Sequence, residues 1–502
     1  MNSRIDIKNF ILEIEQKFPV NDWKINGVHL WPILRIRLYF YLLNQVESKP
    51  AIKVESKPTI KVSNQINNYK IILYKRLITY PKIRMKKILL IWNYLKWFKL
   101  LPPKKYLFLG YDSHRVNYKG KRFNRYFDVF IDEYKLQSKA MYFECDVLFF
   151  DQQYNKELIY KFNEPYIGFL NYQKLIGKQQ LIHFKSKGYD FFLDFLTQNQ
   201  ITKNFPIDYS KMNIEKWFVS FFSRVEFFKK VLHKIKPKKI LILCYYSEDS
   251  IFALTVAANQ MGIKTIEMQH GPQTEIHLAY GSWSNIPKEG YDILPREYWC
   301  WDNYSQSIIG KWAKNNPLYQ VNVVGNPWID YWAKNKSICK YSDYILYSLQ
   351  PSPLTIEKLF PQVIIDFIKN KPYKWFLRLH PRQLPEMNTI KEYLKEKGIL
   401  ELVNIDDATN DALPLLLANA KIHLTHFSGS AIEADCLNVF SVLINETAIT
   451  SFPKLITEKK AQFLDVKRET FTNELIGLLQ NISISNQETI FETDGEKINL
   501  FD

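Results

Sequence analysis

Three short stretches hold the residue types that proton and phosphate chemistry needs. Gln269-His270-Gly271-Pro272 delivers an imidazole at the end of an apolar run, with a pKa suited to a general base at neutral pH. Arg378-Leu379-His380-Pro381-Arg382 sets a histidine between two arginines, able to hydrogen-bond an anion or to protonate a leaving group. Ser428-Gly429-Ser430 follows a third apolar run and opens a helix with Glu433 one turn in. Free N–H groups and the positive dipole end at such a helix start favour phosphate.

Each stretch also has a plainer account. Ser430 and Glu433 have the spacing of a capping box, which would occupy both side chains locally. His380 reads as a strand-end histidine beside a loop proline. The turn at His270 shapes a cleft while a carboxylate acts as the base, with Asp112, Glu248 and Asp249 as rivals. Three such sites on one predicted sheet edge favour the functional account, because ligands of open α/β sheets bind at that edge.

The elements that must position these residues follow from periodicity. Lys239 to Tyr245 reads as a strand, Asp249 to Met261 as a helix closed by Gly262 at C′, and Ile263 to Met268 as the next strand. Tyr106 to Asp112 reads as the first strand of this series. Val321 to Asp330 reads as strand, glycine turn and helix. The pattern restarts at Tyr344 to Gln350 and continues through the His380 and Ser428 strands to Phe440–Ile444. The fold class is therefore α/β, with two Rossmann-like domains facing across a cleft, at residues 106–338 and 339–480. Before them come an N-terminal helical segment (1–46), a duplicated Glu-Ser-Lys-Pro linker (47–68) and a basic amphipathic segment (69–105); a tail (481–502) follows.

Composition sets bounds. The 502 residues are 46% hydrophobic and 24% charged, globular values, with 15% aromatic residues. A net charge of +17 points to an anionic partner. Five scattered cysteines without a C-x-x-C pair read as reduced structural thiols of a cytoplasmic protein. The start is polar, without the apolar core of a signal peptide, and no apolar run is long enough to span a bilayer. Residues 57–111 contain no acidic residue, and from Tyr69 to Lys105 lysines and arginines alternate with Ile, Leu, Trp92, Trp97 and Phe98. Such a stretch either lies on an anionic membrane or forms a surface helix with solvated charges. No nucleic-acid module is recognisable, so nucleic acid is not an expected partner. Neither an Asp-x-Asp pair nor a G-x-x-x-x-G-K-[ST] loop is present, which argues against a metal-held diphosphate and a P-loop enzyme.

At these residues the sequence resembles the GT-B glycosyltransferases of bacterial capsule and lipopolysaccharide synthesis, over roughly residues 105–450. Gln269-His270-Gly271 is similar to a turn of capsule-type Kdo transferases and teichoic-acid polyol-phosphate polymerases. Arg378-Leu379-His380-Pro381 with Ser428-Gly429-Ser430 resembles the paired motifs of sialyltransferases and related CMP-sugar enzymes. Val324-Gly325-Asn326-Pro327 resembles a turn of nucleotide-sugar GT-B enzymes. The resemblance implies a nucleotide-sugar donor bound mainly by the C-terminal domain through Arg378, His380, Pro381, Arg382, Ser428, Gly429, Ser430, Glu433 and Asn326. Glu433 would accept hydrogen bonds from ribose hydroxyls, and His270 would serve the acceptor side.

It further implies inverting, metal-independent transfer, with no cofactor beyond the donor itself. A CMP-activated acidic sugar is the preferred donor, since it also suits the basic charge. A surface glycan or lipid-linked glycan is the expected acceptor, at the inner face of the cell membrane. The alternatives are a CDP-polyol phosphotransferase of teichoic-acid type, a UDP- or GDP-sugar glycosyltransferase, an epimerase-like hydrolase, and an inactive scaffold.

Overall fold

The computed structural model describes residues 3–47, 80–118, 120–145, 150–178, 181–205, 211–334, 339–350, 354–481 and 500–501. The duplicated linker beyond Glu47, the first part of the basic segment and most of the tail lie outside the described residues.

Helix α1 (Arg4–Lys17) starts at a capping box: Ser3 Oγ accepts from the Asp6 N–H and the Asp6 carboxylate accepts from the Ser3 N–H. Its buried Ile7, Ile11 and Ile14 recur at helical spacing and face α2 (Trp31–Glu47). A buried ion pair ties the two helices together. Glu15 accepts from Arg35 Nε at 2.7 Å and from Trp31 Nε1 at 3.0 Å. The rest of the Arg35 guanidinium donates to the Leu278, Gly281 and Ser282 carbonyls and lies 4.0 Å from the Trp283 ring. The N-terminal helices thereby brace the segment just after the His270 turn.

Helix α3 (Tyr80–Leu100) leads into the first sheet, whose strands are β1 (Tyr106–Gly110), β2 (Ala140–Glu144), β3 (Ile159–Tyr160), β4 (Lys239–Ile242), β5 (Lys264–Met268), β6 (Glu297–Cys300) and β7 (Gln320–Val323). Their order is β7-β6-β5-β4-β1-β2-β3, with every pairing parallel. Parallel strands need a covered sheet on both faces, and β1 and β2 are buried at every position. Helices α4 (Asn163–Leu175) and α5 (Asp249–Gln260) are among the cover. Gly262, at φ +69°, ends the α5 turn in the left-handed region that suits glycine.

Helix α6 (Pro327–Lys334) carries the chain to the second sheet. Its Trp328 and Trp332 pack with Phe123 and Val129 of the first domain and with Ala412 and Leu415 of the second. The second sheet holds β8 (Ile345–Ser348), β9 (Trp375–Arg378), β10 (Val403–Asn404), β11 (Ile422–Thr425), β12 (Ser441–Leu443) and β13 (Ala461–Phe463). It is again wholly parallel, in the order β10-β9-β8-β11-β12-β13. Renumbered from its own first strand, each sheet reads 3-2-1-4-5-6, the Rossmann order, and the first adds a seventh strand. The expected fold class stands. At the far end, Phe501 returns to the first domain and packs on Phe130, Tyr134 and Trp299.

Strand order fixes where a ligand can sit. The direction of winding reverses between β1 and β4 and again between β8 and β11, and crevices open at the carboxyl ends there. The three motif stretches end at or beside these points.

Candidate active site

Gln269 anchors the first motif. Its Oε1 accepts from the Trp301 N–H at 2.7 Å, and its Nε2 donates to Gly271 O and Ser305 Oγ, each at 3.1 Å. The turn is thus pinned to the end of β6. His270 Nδ1 lies 3.3 Å from Met268 O and 3.5 Å from Glu267 Oε1, so the Nδ1–H points backwards and Nε2 carries the lone pair. Burial, then the charges of Arg125 and Arg382, holds the His270 pKa down to about 4, opposed by the Met268 carbonyl. It is neutral at physiological pH, and a weaker base than the ordinary histidine expected from the sequence. Glu267 behind it accepts from the Cys244 and Tyr245 N–H groups, both at 3.2 Å, and from Tyr280 OH at 2.8 Å. Burial outweighs these donors and pushes its pKa up to about 8.

The second motif is a rigid corner at the end of β9. His380 Nδ1 accepts from the Arg382 N–H at 3.1 Å, which leaves the proton on Nε2. Gln383 accepts from the His380 N–H at 3.1 Å and donates to Gln350 O at 2.8 Å; Gln350 in turn accepts from the Phe427 N–H at 2.6 Å. The ends of β8, β9 and β11 are therefore interlocked. Burial, then Arg382, Arg125 and Arg378, lowers the His380 pKa to about 4. Arg378 donates to the Ala408 and Asp411 carbonyls, both at 2.6 Å, and burial lowers its pKa to about 10 against the pull of Glu433. Pro381 and Arg382 are exposed. The Arg382 charge acts on His380 in its own domain and on His114 and His270 in the other.

The third motif does not form a capping box. Ser430 is the first residue of α7 (Ser430–Cys436), its N–H donates to Ser428 Oγ at 3.3 Å, and its own buried Oγ has no partner among the described residues. Glu433 is buried too, and its Oε2 likewise has no partner. Burial raises the Glu433 pKa, opposed by Arg125 and Arg378. Two orphaned polar atoms in one short helix carry a cost of about 1–3 kcal/mol each unless something occupies the site. Because α7 has only seven residues, the arginines and not its dipole supply most of the positive potential.

The structure joins the three motifs. A Cβ added to Gly429 would stand 3.1 Å from Pro272 Cδ, so the third motif rests on the first. Arg125 Nη1 approaches Glu433 Oε1 at 3.8 Å across the cleft. Sequence reasoning passed over Arg125 and also His114, whose ring lies 5.7 Å from that of His270. Arg125 gets its position from a hairpin, Arg115–Tyr118 with Lys121–Asn124. Asn124 Oδ1 accepts from the Tyr126 and Phe127 N–H groups at 3.1 and 3.2 Å, turning the chain sharply at Arg125. Tyr126 then donates to His270 O at 3.0 Å. Arg4 of α1 also reaches the rim, 5.7 Å from the Phe427 ring.

The remaining expected residues take other places. Asp112 is buried in an ion pair with Arg122 and accepts from Gln153 Nε2 at 2.7 Å. Asp249 pairs with Arg37 at 2.6 Å and accepts from Trp217 Nε1 at 2.7 Å. Glu248 is an exposed residue just ahead of α5. Asn326 Oδ1 caps α6, accepting from the Trp328 N–H at 3.2 Å.

No family model matches the sequence, and no curated protein matches it. Among solved structures, the chain is similar to UDP-GlcNAc 2-epimerase from Methanocaldococcus jannaschii, with 14% identity, TM-score 0.43, and coverage of 76% of this chain and 94% of that one. It is similar also to UDP-GlcNAc 2-epimerase from Neisseria meningitidis, with 13% identity, TM-score 0.42, and coverage of 75% and 92%. The glycotransferase of kitacinnamycin gives 11% identity, TM-score 0.38, and coverage of 76% and 91%.

Proposed function

We propose that this protein is a glycosyltransferase, moving a sugar from a nucleotide donor to a hydroxyl of a surface-glycan acceptor. The meeting of Arg125, Arg378 and Arg382 around His380 and Glu433, at the facing edges of two Rossmann-ordered sheets, carries this assignment. A phosphate-linked donor supplies what that group lacks. Its phosphate oxygens accept from the arginines, from His380 Nε2–H and from Ser430 Oγ, while its ribose hydroxyls donate to Glu433 Oε2.

Transfer then needs one proton moved and one bond exchanged. The acceptor oxygen attacks the anomeric carbon as the carbon–phosphate-oxygen bond breaks, and the hydroxyl proton passes to His270 Nε2. Glu267 Oε1, 3.5 Å from Nδ1, holds the ring in the orientation that presents Nε2 to the acceptor. The leaving phosphate stays bound by arginines that are already in place, so little reorganisation is needed. Attack from the face opposite the leaving group inverts the anomeric centre.

A CMP-activated acidic sugar is the donor we favour. Its phosphate and its carboxylate are two anions, and the cleft offers three guanidinium groups on both of its walls. Product analysis by NMR after incubation with CMP-, UDP- and GDP-sugars, a CDP-polyol and a glycan acceptor is the test. A new glycosidic bond from a CMP-sugar is expected. A phosphodiester from a CDP-polyol would replace this reaction with phosphotransfer, and an isomerised sugar nucleotide without acceptor would replace it with epimerisation.

A further inference from the structure

Among the described residues, helix α3 is fixed along one side. Tyr94 is buried, and Gly168 of α4 lets the backbones meet, since a Cβ there would overlap the Leu90 carbonyl and stand 2.6 Å from Tyr94 Cβ. Asn93 Nδ2 donates to Glu164 Oε1 at 3.3 Å, so α3 and α4 run antiparallel.

The opposite side of α3 is apolar and open to solvent. Met85, Ile88, Leu89, Trp92 and Leu95 recur at three- and four-residue spacing, and Met85 and Trp92 are 70% and 56% exposed. Exposed Arg84, Lys86, Lys87, Lys96 and Lys99 are interleaved with them. Lys96 Nζ lies over the Trp92 ring, 5.2 Å from its centroid. No acidic residue occurs anywhere in 57–111. Among the described residues no helix is long and apolar enough to cross a membrane.

Charge decides which occupant suits this face. Protein interfaces are depleted of lysine at their centres, whereas here lysines run through the apolar stripe. A bilayer surface of anionic lipid accepts both parts at once: tails take the apolar side chains, headgroups the ammonium groups, and tryptophan sits at their boundary. We propose that α3 seats the protein on an anionic membrane surface, lying flat with Met85, Ile88, Leu89, Trp92 and Leu95 turned into it. The cleft chemistry is not needed for this, and either can fail without the other.

Vesicle co-sedimentation of the full chain tests the seat, using phosphatidylcholine alone or with about one-third phosphatidylglycerol. The wild type is expected to pellet only with the anionic vesicles and to be released by high salt. Ile88→Glu/Leu89→Glu/Trp92→Glu and, separately, Lys96→Gln/Lys99→Gln should each lower partitioning by about tenfold or more, with melting temperatures unchanged. Failure of the wild type to pellet, or equal pelleting of the triple variant, would overturn the proposal. So would a clear fall in the triple variant's melting temperature, which would mean that another stretch of this chain or a second copy covers the face.

Discussion

Arg125 and Glu433 face each other at 3.8 Å, one from each domain, and among the described residues Glu433 Oε2 has no hydrogen-bond partner. At that separation the pair attracts without a direct hydrogen bond. Arg125→Met and Glu433→Gln should each weaken nucleotide binding at least tenfold, about 1.4 kcal/mol, as expected for a lost charge-assisted hydrogen bond. Isothermal titration of each variant checks this, with circular dichroism to confirm the fold.

His270 is assigned the acceptor proton. His270→Ala should lower kcat by roughly 10²–10⁴ while KM for the donor changes little, since the donor contacts assigned to Arg125 and to the other domain are left in place. Because its pKa is held down to about 4, activity should stay flat through the neutral range and not fall near the ordinary histidine value. A kcat/KM profile over pH, with the donor that product analysis identifies, is the measurement.

Stability should follow pH in a defined way. His29, His114, His270, His277, His380, His423 and His426 are all held below their usual pKa, chiefly by burial. Between about pH 6.5 and 4 the unfolded chain binds these protons and the folded one does not, so stability is lost as pH falls. Buried Asp128, Glu144 and Glu267 act oppositely, with pKa values raised to about 6, 7 and 8. Their contribution is present at low pH and is lost as pH rises through those values. The seven histidines outweigh these carboxylates, together with the likewise raised Asp411 and Glu433, on the acid side. The melting temperature should therefore peak at roughly pH 6.5–7 and fall more steeply towards acid, as scanning fluorimetry across pH will show.

The buried Glu15–Arg35 pair should matter more for stability than its distance from the chemistry suggests. Glu15→Ala strands a guanidinium that also holds the Leu278, Gly281 and Ser282 carbonyls, and should cost about 3–5 kcal/mol by denaturant unfolding. Glu15→Ala/Arg35→Met, which removes both charges, should recover part of that loss.

Much of this arrangement was legible in the residues themselves. Apolar runs ending in Gln269-His270-Gly271, His380-Pro381 and Ser428-Gly429-Ser430 implied strands with their chemistry at one edge, because a parallel strand buried on both faces reads as a continuous apolar run. The Rossmann order of both sheets then put those edges together. Arg125 and His114 were not legible. Arg125 is one of 68 lysines and arginines, and it gains its place from the Asn124 turn and from Glu433, more than 300 residues away. Local spacing carries no trace of such a pairing. Ser430 and Glu433 show the reverse case, a local capping pattern that tertiary contacts with Pro272 and Arg125 displace. Asn326 shows local chemistry prevailing, since its side chain caps the helix it precedes.

A thermal-shift panel of the wild type, Arg125→Met and Glu433→Gln against CMP, CDP, UDP, GDP and ADP, with and without magnesium, tests whether Arg125 and Glu433 hold a nucleotide between the domains. A ligand that binds the folded state alone raises the melting temperature by mass action. A shift is expected for the wild type with CMP, without magnesium, together with its loss in both variants. No shift with any nucleotide, or equal shifts in wild type and variants, would contradict it.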